Sequence, residues 1–431
     1  MLKEPQADHN AVRHLHRDAA LRDRARKVIP GGMWGHMNAV RLPAGMPQFF
    51  SRAKGTRLHD VDDNEYVDFM CAFGPMILGY ADPDVDAAVA AQRGRMDIAN
   101  GPGEVLVELA ELMVETIPAA DRAMFSKNGT DATTACVMIA RAHAGRRKIL
   151  VAEGAYHGSA PWCTPWPGGT TPEDRAHLIH YVYNDIASLE AAGAEAGDDL
   201  AGILASAFRH DARFDQELPT QAFANAARAL ADRQDAALIL DDVRAGFRID
   251  LGGSWQPLGV RPDLAAWSKA LGNGYPIAAV TGTERLREAA TKIFVTGSFW
   301  CGAGAMAAAV ATISKLHRTN AVAHMTRLGG MLRTGLQAQA DGLGVGLRQT
   351  GPASLPMVLF DDDPDFAKAN LFVVTALQRG VYLHPWHNMF LSVAHSEDDI
   401  AIALKATQKA LEAVAGAFPQ AAAGRTETVD G

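Results

Sequence analysis

Apolar residues recur at two intervals through the middle of the chain, and the switching between them sets the expected architecture. Over 104–116, Leu106, Leu109, Ala110 and Met113 fall at helical spacing on one face. A short strand is expected over Arg122–Ser126, then a helix over 131–143 with Ala132, Cys136, Ile139 and Ala140 turned inward. Lys148–Ala152 reads as a strand running into a glycine loop, 203–208 as a strand, Gln221–Arg233 as a helix and 236–240 as a strand. Repeated strand–helix units of this kind predict an α/β fold, a mostly parallel sheet wrapped by helices, with ligands at the strand C-terminal ends.

The ends of the chain depart from that rhythm. Residues 55–69 read as a hairpin. Its tip, Asp60 to Glu65, superficially looks like a calcium loop but lacks that motif's glycine and terminal glutamate, so a turn is expected. From about 306 a long helix gives way to mixed strands and helices. The expected organisation is a large domain over 71–305, a smaller α+β domain built from 1–70 and 306–420, and a disordered tail over 421–431.

A chain of 431 residues, 48% hydrophobic and 21% charged, is long enough for two domains around a large core. Net charge is −8, which argues against a nucleic-acid partner. The 15 histidines are scattered; His14 and His16 fall together on a charged helix, and no metal site is expected. Cys71, Cys136, Cys163 and Cys301 show no zinc spacing and fit reduced thiols in a cytoplasm. With no long apolar segment and no apolar run behind the charged N-terminus, neither a membrane span nor a secretory signal is expected.

Two strand ends carry the chemistry. The apolar strand before Ser268 runs into Lys269, and a glycine-rich turn follows (Gly272-Asn273-Gly274). An amine at a strand end, beside backbone that a ligand can approach closely, is costly when buried unless it is neutralised or used covalently. Upstream, another strand ends in Asp241-Asp242 and continues Val243-Arg244-Ala245-Gly246-Phe247-Arg248. An acid and a lysine facing one ligand suit pyridoxal 5′-phosphate: the lysine forms a Schiff base, and the carboxylate keeps the pyridine nitrogen protonated.

On these two motifs the chain resembles the class III aminotransferases of the fold-type-I pyridoxal-phosphate superfamily, over about 26–399. The glutamate-1-semialdehyde aminomutase branch and its omega-transaminase relatives are most similar. The resemblance implies catalytic roles for Lys269 and Asp241. It also implies that Asn128, Gly129 and Thr130, at a strand-to-helix turn, hold the cofactor phosphate; an ordinary helix cap is the competing reading. Gly154-Ala155-Tyr156-His157-Gly158 matches a family motif in which Tyr156 stacks on the ring and His157 supports it. In Thr296-Gly297-Ser298-Phe299, Ser298 stands at a threonine position whose hydroxyl reaches the phosphate of a neighbouring subunit, which implies a homodimer with shared sites.

Departures from the family bear on substrate. Asn38 occupies the register where aminomutases carry a carboxylate-binding arginine, and Arg209-His210 replaces a Glu-Pro. A shortened late loop, His384-Pro385-Trp386-His387-Asn388-Met389-Phe390, either lines the pocket with imidazoles and aromatics or is internally hydrogen-bonded. Trp34, Phe73 and Trp386 suggest an apolar pocket, and Arg209 and Arg213 are weak candidates for an acceptor cation. The expected activity is transfer of an amino group from a non-alpha amine to a small keto acid such as pyruvate, through a pyridoxamine phosphate form. An intramolecular aminomutase or racemase, and more remotely a non-catalytic cofactor-binding protein, are the alternatives.

Overall fold

The computed structural model describes residues 13–419. Its central sheet has seven strands, in spatial order Arg122–Ser126, Ala278–Gly282, Leu264–Trp267, Ala237–Asp241, Leu200–Ser206, Lys148–Ala152 and Leu178–Tyr181. All neighbours run parallel except Ala278–Gly282, which is antiparallel to both of its partners. Leu200–Ser206 and Ala237–Asp241 are buried at every position, as strands covered on both faces must be. Their side chains divide between two cores: Ile203 and Leu238 pack with Leu109, Met113 and Phe223 on one face, and Leu204 and Ile239 with Ala132, Cys136 and Ile139 on the other.

The expected elements are present with shifted ends. The helix foreseen over 131–143 spans Gly129–Ala144, because Asn128 and Asp131 form a capping box that starts it earlier. The strand foreseen over 203–208 is Leu200–Ser206; Leu200 already pairs with Lys148, while Ala207 and Phe208 leave the ladder but stay buried. In Val105–Thr116 the buried face is Val105, Leu109, Met113 and Thr116, with Leu106 and Ala110 half-buried beside it. His14 precedes the helix His16–Val28 rather than lying on it, its ring stacked on that of His16.

The hairpin is Arg57–Asp60 with Glu65–Asp68, joined by an unforeseen outer strand, Phe50–Lys54. The tip is a turn: Asp60 Oδ1 accepts from the Asp62 and Asn64 amides, and Asp62 caps the helix that starts at His16. No group of residues able to hold a metal ion occurs among the described residues. Val381–Tyr382 adds a parallel strand to Glu65–Asp68, so the N-terminal and C-terminal parts of the chain share one sheet. The long helix foreseen from about 306 is Ala303–Arg318. The tail over 421–431 lies outside the described residues. No described helix is long and apolar enough to cross a membrane.

Candidate active site

Ser126, Ala152, Ser206, Asp241 and Trp267 all sit at one edge of the central sheet, since parallel strands joined by crossover helices put their C-terminal ends together. The loops leaving that edge enclose a cavity of about 530 Å³ lined by Asn128, Gly129, Thr130, Tyr156, His157, His210, Asp241, Val243, Arg244, Ser268 and Lys269. Every motif expected to touch the cofactor within one chain therefore reaches the same space.

Lys269 opens a short 3-10 turn at φ 46°, a left-handed conformation that costs a non-glycine residue on the order of 1–3 kcal/mol. Its amine is pushed down from 10.5 to about 7, chiefly by burial, then by the positive charge of Arg244 and, more weakly, of Arg248, with Asp241 opposing. A lysine so placed supplies a neutral amine near neutral pH.

Asp241 Oδ2 lies 2.7 Å from His157 Nδ1, and both side chains are buried. Asp241 Oδ1 accepts from the Val243 amide at 3.1 Å, and His157 Nε2 has no hydrogen-bond partner among the described residues. The adjacent Asp242 turns away from the cavity. Its carboxylate takes the Ser254 amide at 2.9 Å and the Ser254 hydroxyl, and burial raises its pKa to about 6. Alternation along the strand assigns the two acids to opposite faces, so Asp241 alone faces the cavity.

At the other end, Asp131 accepts the Lys127 and Asn128 amides, while the Gly129 and Thr130 amides at the start of Gly129–Ala144 have no acceptor among the described residues. Two free amides at a helix N-terminus are donors for a phosphate. Close packing keeps this cradle open. A Cβ at Gly129 would stand 2.7 Å from Val243 Cγ1. Gly158, at φ 124°, lies against Thr130, whose Oγ1 accepts from the Ser159 amide at 3.1 Å.

An aromatic cluster lies beside this cavity but outside its lining, close enough that His36 and His387 feel the charges of Lys269 and Arg244. Phe73 meets His36 edge-on at 4.6 Å and His387 at 5.4 Å, and His384 packs against Trp386 at 4.4 Å. Burial holds these imidazoles neutral, with His384 down to about 3 and His36 and His387 also lowered. Phe73 is aimed by an unusual turn in which Cys71, Ala72, Phe73 and Gly74 all have positive φ (46°, 53°, 63° and 112°). The Asp68 carboxylate secures the turn through the Met70 and Cys71 amides and the Tyr80 hydroxyl.

Phe73, His384 and Trp386, foreseen as pocket residues, are outside the cavity lining, and the late loop is hydrogen-bonded internally, His384 Nδ1 accepting from the Trp386 amide at 3.4 Å and His387 Nδ1 lying 2.8 Å from Asn388 O. Other foreseen residues lie farther away. Asn38 spends its amide on its own turn, donating to Met33 O at 2.7 Å and accepting from the Val40 amide at 3.0 Å. Trp34 is 66% exposed. Arg209 pairs with Asp211 at 3.2 Å outside the cavity lining, and Ser298 is exposed and also outside it. Arg244 and His36 were not foreseen. Arg244 stands inside the recognised Asp241–Arg248 stretch, three residues beyond the acid, and only its burial in the cavity wall distinguishes it.

This fold and these converging groups are those of an aminotransferase. The class III aminotransferase family matches residues 41–411, and the chain belongs to it. It is 48% identical over 398 residues to the aminopentol aminotransferase of Sphingopyxis macrogoltabida, covering 92% of this chain and 94% of that one. It is 32% identical to the 3-aminobutyryl-CoA aminotransferase of Cloacimonas acidaminovorans, covering 93% and 98%. The solved structure of the FumI protein of Sphingopyxis sp. MTA144, in its pyridoxal-phosphate internal aldimine form, superposes with a TM-score of 0.92 at 47% identity, covering 94% and 98%. The enzyme is accordingly a pyridoxal-phosphate-dependent aminotransferase. The free amides at Gly129 and Thr130, the cavity-facing Asp241 and the neutralised Lys269 fit that cofactor.

Proposed function

We propose that the enzyme takes its amino group from a non-alpha primary amine and delivers it to a small 2-keto acid such as pyruvate. The observation that carries this reading is the neutral aromatic wall that Phe73, His36, His384 and Trp386 form beside the cavity, outside its lining, combined with the local use of the Asn38 amide. Such a wall favours a hydrocarbon body over the anionic head of an alpha-amino acid. The relatives named for an aminopentol and for a 3-aminobutyryl thioester, neither an alpha-amino acid, support it.

Pyridoxal phosphate, when bound, supplies a reactive aldehyde and an electron-accepting ring. Lys269 Nζ would hold it covalently and, when free, would serve as the base for the proton on the substrate carbon. Asp241 would hold the proton on the pyridine nitrogen, and His157 fixes the Asp241 carboxylate. Tyr156 would pack against the ring, and Asn128, Gly129 and Thr130 would hold the phosphate. Ser298 serves the phosphate of a second copy in a homodimer. The exposure of Phe294 and Phe299, at 85% and 68%, supports burial of that segment against another chain. The sheet shared by Glu65–Asp68 and Val381–Tyr382 supports a small domain made from 1–70 and 306–420, beside a large one over 71–305. The four free cysteines fit a cytoplasmic enzyme.

Titration of the purified holoenzyme with a panel of amines, followed by the cofactor absorbance, tests the reading. Non-alpha amines should convert the cofactor to its amine form, and pyruvate should restore it. Efficient turnover of glutamate-1-semialdehyde with amines ignored would replace this reading with the aminomutase one.

A further inference from the structure

We propose that Arg244 binds a substrate carboxylate, which in the transaminase reading above, on which this inference rests, is that of the keto acid acceptor. Arg244 lines the same cavity as Lys269, Tyr156 and Asp241, and its side chain is buried. Its Nη1 donates to two uncharged oxygens, His210 O at 3.2 Å and Asn388 Oδ1 at 2.8 Å. Asn388 is itself oriented by donation to Met389 O at 2.9 Å, which points its carbonyl oxygen at the guanidinium. Nε and Nη2 have no acceptor, and Arg244 has no carboxylate ion-pair partner, among the described residues. A buried guanidinium with one edge tied and the other facing a cavity is an incomplete ion pair, and a planar carboxylate is the shape that completes it.

The other arginines near the site are differently engaged. Arg209 is paired with Asp211 at 3.2 Å. Arg213 is exposed and stacks on Trp386 at 4.9 Å. Arg248 is fully buried over the Phe390 ring at 5.2 Å, its three guanidinium nitrogens sealed from solvent and outside the cavity lining. Lys269 is committed to the cofactor. The cavity thus offers a fork for the acid of the acceptor, with the aromatic cluster of Phe73, His36 and Trp386 beside it for the hydrocarbon of the donor, so that a neutral donor and an anionic acceptor alternate at one site.

The test compares holoenzymes carrying Arg244→Met, Arg244→Lys and Asn388→Asp with the wild type. Asn388→Asp retains the arginine but supplies it with a carboxylate, so it tests the site should Arg244→Met fail to fold. Each is assayed with pyruvate and with propanal, an uncharged acceptor, and for competition by unreactive propanoate. Arg244 also lowers the pKa of Lys269, and the pyruvate-to-propanal ratio of kcat/KM cancels that shared effect. Losing a charge-assisted contact should lower the ratio roughly ten- to hundredfold in Arg244→Met and Asn388→Asp, mostly through KM, with partial recovery in Arg244→Lys. Propanoate competition should weaken in parallel. Equal losses with both acceptors, or unchanged propanoate competition, would overturn the inference. A wild type that uses propanal but not pyruvate, with propanoate competition still dependent on Arg244, would leave the carboxylate site standing and remove the keto acid reading.

Discussion

His157 Nδ1 and Asp241 Oδ2 stand 2.7 Å apart, both buried, at the ends of two strands that are not neighbours in the sheet. The imidazole arrives on the loop after Lys148–Ala152 and the carboxylate on the last residue of Ala237–Asp241, with Leu200–Ser206 between them. The pair orients one acid toward the cavity while its neighbour Asp242 is held by Ser254.

Asp241→Asn keeps the shape of the side chain and removes its charge. Turnover should fall by about two or more orders of magnitude while the cofactor stays bound, because an amide does not hold a proton on the ring nitrogen. Single-turnover absorbance with an amine donor checks this, and near-normal rates would move the role to another acid.

Burial gives Lys269 a signature that is independent of catalysis. Its pKa falls from 10.5 unfolded to about 7 folded, so between those values the unfolded chain binds more protons. Stability of the cofactor-free protein should therefore rise with pH from about 7 toward 10.5, and Lys269→Met should flatten the rise. Urea melts across that range measure it. Lys269→Ala should also abolish turnover, and borohydride reduction of the wild-type holoenzyme should label this residue in a peptide map.

If Ser298 serves a second copy, inactive Lys269→Ala and impaired Ser298→Ala chains should complement when mixed. Hybrids contain one site with both groups intact, so activity up to roughly a quarter of wild type is expected from random pairing of two chains. A fully active monomer in sedimentation would exclude the arrangement.

The left-handed turn at Cys71–Gly74 stores strain that glycine relieves. Ala72 is exposed at φ 53°, so Ala72→Gly loses no packing, and relief of about 1–2 kcal/mol exceeds the added chain entropy of about 0.5–1 kcal/mol. A net gain of about 0.5–1 kcal/mol should appear in denaturant unfolding; a loss would mean the turn is not the ground-state conformation.

Local patterns made much of this enzyme legible. Lys269, Asp241, Asn128, Gly129, Thr130, Tyr156 and His157 each sit where a strand meets a turn, and a parallel sheet brings those turns to one edge whatever the exact strand order. Strand and helix periods are likewise short-range signals, so Arg122–Ser126, Lys148–Ala152 and Gln221–Arg233 could be read to the residue. Other features depend on partners distant in the chain. The reversal of Ala278–Gly282 depends on pairing with Arg122–Ser126, more than 150 residues away. That Asn38 is spent on its own turn, and that Arg244 keeps one edge free in the cavity, follow from where Met33, His210 and Asn388 come to lie. A polar side chain's availability is set by which other groups reach it first, and only long-range packing decides that.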